Sequence, residues 1–204
     1  MTAGPLTLAD IADQRAYERE RNEFRRMVIA AKKLRRITVG PVVTLTFENR
    51  MTMRFQVQEM ARAERMTTDE QIQRELDAYN RLLPGPDELS ATLFLEFTTE
   101  EQLRTWLTTL VGIERSAVLL IGEGTGTRMV RSLPESEHQS HLTRHEVTSA
   151  VHYVRFPLGP DGVAAFRAGP VSLLIDHPNY PDGRPGVVLS DTTCSELAGD
   201  LAGR

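Results

Sequence analysis

Four of the five histidines fall within 15 residues, at His138, His141, His145 and His152, with Glu135, Glu137 and Glu146 among them. Imidazole and carboxylate are good ligands for iron or zinc, and spacings of three and four place His138, His141 and His145 on one face if the segment is helical. Glu146 would complete such a metal site. A defined zinc motif such as HExxH is absent, and Thr143 with Glu146 also reads as a helix start, which would leave the first two histidines in a polar surface connector. A second set, Glu48, Arg54, Gln56 and Glu96, lies on the polar side of strand-patterned runs and could converge with Glu59 and Arg62 on a polar ligand. Carboxylates beside guanidinium groups bind such a ligand or tune a general acid only where water is excluded. Otherwise they form one solvated sheet face. A third set, Arg15, Arg19 and Arg26, marks one flank of a basic helix as a docking face for an acidic partner. Arg21, Arg25, Lys32 and Arg36 fall near the other flank, and Glu18, Glu20 and Glu23 can partner several of these cations across a helical turn.

Other chemistry is missing. There is no GxSxG elbow. The GEGTG cluster at Gly122 to Gly126 precedes a strand-like TRMVRS rather than the helix that a phosphate loop needs, so it reads as a hairpin turn. Cys194 is the only cysteine, which excludes an internal disulfide and a multi-cysteine cluster within one chain and leaves a free, buried thiol.

The elements that must position these residues follow from periodicity. Tyr17, Phe24, Val28, Ala31 and Leu34 recur at helical spacing between Asp13 and Arg35. Ile37 to Phe47 and Thr52 to Gln58 alternate with period two and are expected to form a hairpin about Glu48, Asn49 and Arg50, with Val43, Leu45 and Phe47 on one face and Thr44, Thr46 and Glu48 on the other. Glu59 to Arg65 reads as helix, and Thr68 with Gln71 resembles a capping box opening another to about Tyr79. Ala91 to Phe97 is a strand, Glu100 to Val111 a helix, and Ala117 to Ile121 and Thr127 to Val130 strands. Thr148 to Phe156 and Val171 to Asp176 are further strands around a short helix near Asp161 to Arg167, and Ser190 to about Leu201 is a terminal helix. The expected fold is α+β, a largely antiparallel sheet with a long amino-terminal helix and helices packed on one face. Residues 6–180 form its single domain, followed by a loop and carboxy-terminal helix or tail over 181–204.

The chain has 204 residues, 40% hydrophobic and 25% charged, with a net charge of −4. This is ordinary globular material and not that of a protein built as a whole for nucleic acid. Residues 13–36 hold nine Lys or Arg against four Asp or Glu, a charge of +5, so the remainder carries −9. No aromatic stacking groups interleave with those arginines, which disfavours RNA. No segment has the length of a membrane span and the amino terminus lacks the apolar run of a signal peptide, so the expected address is the cytoplasm. A homo-oligomer is compatible with all of this.

The blocks LADIADQRAYERERNEFR, FENRMTMRFQVQEMARAER, YNRLLPGPDELSATLFLEF, LVGIER, LTRHEVTSAVHYVRF and SLLIDHPNY, spread over residues 6–180, resemble a bacterial family known only as domain of unknown function 3501. The resemblance implies no activity and no cofactor. Members are often encoded beside rubrerythrin-like and iron–sulfur oxidoreductase-like proteins, which implies an accessory role in iron or peroxide redox metabolism through a protein partner.

Overall fold

The computed structural model describes residues 4–135 and 147–201. The long helix α1 (Gln14–Arg35) starts where Asp13 caps it, Oδ1 accepting from Ala16 N at 2.9 Å, and buries Tyr17, Phe24 and Val28 at helical spacing. It runs into β1 (Arg36–Val39) and, after a tight turn, β2 (Val43–Glu48). Gly40 sits in that turn at φ +67°, and the buried Tyr180 phenol clasps it, donating to Val39 O at 2.8 Å and accepting from the Val42 and Val43 amides at 3.1 and 3.3 Å. A Cβ on Gly40 would lie 2.5 Å from the Tyr180 oxygen, so glycine is required there for space as well as for φ.

After β2 the structure departs from the expected hairpin. Residues 52–58 are not a strand; they belong to helix α2 (Arg50–Ala63). Asn49 starts it with a reciprocal cap, its Oδ1 accepting from Thr52 N at 3.0 Å while Thr52 Oγ1 accepts from Asn49 N at 2.9 Å. The apparent period of two comes from two period-four stripes offset by two residues. Met51 and Phe55 pack on the Tyr17, Phe24 and Val28 stripe of α1, and Met53 and Val57 pack with Leu6, Leu76 and Leu82 on the other side. A helix sandwiched between two apolar clusters thus mimics a strand in sequence.

Helix α3 (Asp69–Asn80) carries the expected Thr68 and Gln71 capping box. Then come β3 (Glu88–Leu95), α4 (Glu100–Thr109), β4 (Ala117–Ile121), β5 (Arg128–Arg131), β6 (Leu133–Pro134), β7 (Val151–Pro157), α5 (Gly159–Ala168), β8 (Val171–Ile175), β9 (Val187–Val188) and α6 (Asp191–Asp200). The strands form two antiparallel sheets, ordered β1-β2-β3-β7-β6 and β5-β4-β8-β9. The chain passes from one sheet to the other at Ser132, between β5 and β6. As expected, β4 and β5 join as a hairpin across the glycine cluster.

The main core lies between the sheets, where Val43, Leu45, Phe47, Leu89 and Leu93 meet Leu119, Ile121, Leu173 and Ile175. Leu197 of α6 is buried in the same cluster. Only the apolar half of the alternation behaves as a half-solvated sheet would require. Every residue of β2 is buried, Thr44, Thr46 and Glu48 included, because helices cover the second face. That polar face is neither a solvated surface nor an open site, a correction to the sequence reading with a plain cause: burial on both sides is decided by what packs on a sheet, not by its own period. No helix among the described residues is long and apolar enough to cross a membrane.

Candidate functional site

The buried stripe of α1 leaves its opposite side to solvent. Arg15, Arg19 and Arg26 are exposed and fall within about one ninth of a turn of one another on the helical wheel. Lys33, also exposed, extends the same ridge, which from residue 15 to residue 33 runs about 27 Å at 1.5 Å per residue. Two of the three acidic residues of α1 are engaged away from it. Glu18 pairs with Arg62 at 2.6 Å, Glu20 with Arg54 at 3.4 Å, and Arg21 holds Glu59 through both nitrogens at 2.8 Å, so the ion pairs gather on the α2 flank. Among the described residues, Arg15, Arg19 and Arg26 make no ion pair. Beside them Met27 and Leu34 are 52% and 39% exposed, so the ridge borders an apolar strip.

At its amino-terminal end the ridge meets a groove of about 370 Å³ between the segment preceding α1, the end of α2 and the start of α3. Buried Gln58 fixes one wall, its amide oxygen accepting from Ala12 N at 3.0 Å and its nitrogen donating to Ala12 O at 2.9 Å. Apolar Leu8, Ile11, Met66 and Ile72 line the groove together with Arg15 and Arg62. Arg15 therefore belongs to both features. A pocket of this volume is within the range that takes a small ligand or a large side chain of a partner.

The family model for a protein of unknown function, DUF3501, matches residues 5–201. The chain belongs to the DUF3501 family. A crystal structure of a protein of unknown function from Burkholderia pseudomallei is 37% identical, with a TM-score of 0.86 over 98% of this chain and 100% of that one. No curated protein matches it.

In this DUF3501 protein the residues grouped by sequence occupy three places. Arg54, Glu59 and Arg62, with half-buried Gln56, are on α2, where the first three form the seam with α1; Arg54 also stacks over the Phe24 ring at 4.8 Å. Glu96 lies beyond the end of β3, accepting from Thr44 Oγ1 at 2.7 Å and pairing with Arg36. Glu48 is at the other end of β2, about 13 Å along the strand from Thr44. His138, His141, His145 and Glu146 lie outside the described residues. Buried His152 faces the main core, its Nε2 donating to Ser149 O at 3.0 Å and lying 2.9 Å from Thr148 Oγ1. His177 donates from Nε2 to Val111 O at 3.1 Å and accepts from Asn179 N at 3.2 Å, holding a turn.

The titrating groups of the seam are tuned by contact. The Arg21 guanidinium holds the Glu59 carboxyl below its ordinary range, and burial together with the hydrogen bond to Glu59 raises the Tyr17 phenol, whose oxygen is 2.6 Å away. Burial pushes His152 down and the half-buried Cys194 thiol up. The latter disfavours thiolate chemistry.

Two constellations escaped the sequence reading. Arg35, 2% exposed, donates to Glu196 and Asp200 across 161 and 165 residues, and Tyr180 clasps the β1 to β2 turn. The only sequence signal for either is a charge, Arg35, standing on the apolar stripe of α1.

Proposed function

We propose that this DUF3501 protein is a non-catalytic binding protein that docks an acidic segment of a partner protein along the Arg15, Arg19 and Arg26 ridge. One apolar side chain of that segment enters the adjoining groove. The observation that carries this reading is the asymmetry of α1: Glu18 and Glu20 are spent on pairs with α2, while three arginines on the other flank make no ion pair among the described residues and stand beside exposed Met27 and Leu34. Unpaired like charges in a row repel one another and are relieved by an acidic partner, which they also steer. The resemblance names the partner class to try first, a rubrerythrin-like or an iron–sulfur oxidoreductase-like protein.

The direct test is a fluorescence titration with a synthetic acidic peptide of about ten residues carrying one phenylalanine. Binding should weaken as salt rises. Replacing Arg15, Arg19 and Arg26 together by glutamine should weaken it roughly 3- to 100-fold, three exposed pairs at ordinary strength, with the melting temperature unchanged. Equal binding by the variant, no binding at low salt, or preference for a single-stranded RNA over the peptide refutes the reading.

A further inference from the structure

Beneath the helices that cover the first sheet lies a carboxylate oxygen that no described residue satisfies. Glu48 is 3% exposed. Its Oε1 accepts the Thr92 hydroxyl at 2.7 Å, while Oε2, equally buried, has no hydrogen-bond partner among the described residues. The register sets Glu48 opposite Ser90 and Ser90 opposite Arg155, so both neighbours are within reach of the same spot. The Ser90 hydroxyl and the terminal nitrogens of Arg155 donate elsewhere. Ser90 Oγ donates to Leu82 O at 2.8 Å, and Arg155 donates to the Glu88 carboxylate and to the carbonyls of Leu83 and Arg81.

Against Glu48 is a cavity of about 10 Å³, lined also by Leu82, Ser90, Glu135, Tyr153 and Arg155. That is about one water-sized sphere, the least space that holds a water and too small for any organic ligand. A buried carboxylate oxygen without a donor is among the costlier defects a fold can carry.

We propose that the cavity seats one hydrogen-bond donor of the size of water, a water molecule or an ammonium ion, that donates to Glu48 Oε2. The guest closes the one open position of the Glu48 and Thr92 pair and so completes the polar layer between the first sheet and its helices.

The test is a pair of high-resolution crystal structures of the full chain, grown with and without ammonium and read together, with melting curves in ammonium chloride against sodium chloride at equal ionic strength. A density peak about 2.6 to 3.2 Å from Glu48 Oε2, with identical melting in both salts, assigns water. A peak with a saturating rise in melting temperature in ammonium alone assigns ammonium, and E48Q, which replaces the accepting oxygen by a donor, abolishes that rise. Either result supports the proposal. An empty cavity, a bound metal ion, or a neighbouring side chain turned onto Oε2 overturns it, and these are read from the wild-type crystals even if E48Q fails to fold.

Discussion

Arg35 is the strongest single lever on this fold. It stands at the end of α1, 2% exposed, with its guanidinium between Glu196, 34% exposed, and Asp200, 8% exposed, on α6. It donates to Glu196 Oε1 from Nε at 3.1 Å and from Nη2 at 2.8 Å, and to both oxygens of Asp200. R35M keeps the packing volume of the stem and deletes the charge. Asp200 then remains almost buried with only Asn49 Nδ2, at 3.3 Å, as a donor. Removing one member of a buried ion pair costs about 3 to 5 kcal/mol, mostly the penalty of the charge left behind. For a chain of this length each kcal/mol lowers the melting point by about 2 to 4 °C, so R35M should melt roughly 6 to 20 °C lower. The same logic orders the partners. D200N should cost more than E196Q, because the Glu196 carboxylate keeps access to water, and D200N added to R35M should restore part of the loss by removing the stranded charge. Urea and thermal unfolding followed by circular dichroism decide the matter. A loss below about 1 kcal/mol for R35M, or a double variant weaker than R35M alone, would show that the triad does not hold α6 to α1.

Y180F removes the clasp of the β1 to β2 turn and strands the Val39 carbonyl; a loss of about 1 to 3 kcal/mol is expected in urea unfolding. G40A should cost at least as much, since its Cβ would collide with the Tyr180 oxygen at a positive φ. Glu59 contributes stability that is complete above its ordinary pKa of 4.5 and is lost as pH falls through its lower folded value, so E59Q should be less stable than the wild type at neutral pH and show a flatter acid limb, the gap between the two closing as pH falls. His152 has the same sign: its folded pKa is depressed by burial, so stability should decline as pH drops below 6.5, and replacing it by glutamine should remove that step.

Much of the architecture can be read from the residues. The α1 stripe as far as Val28, the Thr68 and Gln71 cap, the glycine hairpin and the resemblance to DUF3501 all hold, because each rests on contacts a few residues apart or on the order of blocks along the chain; Leu34, expected on that stripe, is 39% exposed, and Arg35 is buried in its place. The helix at 50–63 was hidden because it is apolar on two sides, and its cap at Asn49 falls where a hairpin turn would also place asparagine. The arginines of the docking ridge can be named from spacing alone, but which of the nine cations lacks a carboxylate depends on where α2 lies.

Sequence by itself determined the α+β class, the local caps and the basic character of α1, since period, capping chemistry and charge are properties of neighbouring residues. Only the tertiary structure decided that Glu48 is buried beside a water-sized cavity, that Arg35 binds α6 from 161 residues away, and that Arg15, Arg19 and Arg26 make no ion pair among the described residues. Burial and pairing are properties of what packs against a side chain, and that comes from distant parts of the chain whose approach no local pattern encodes.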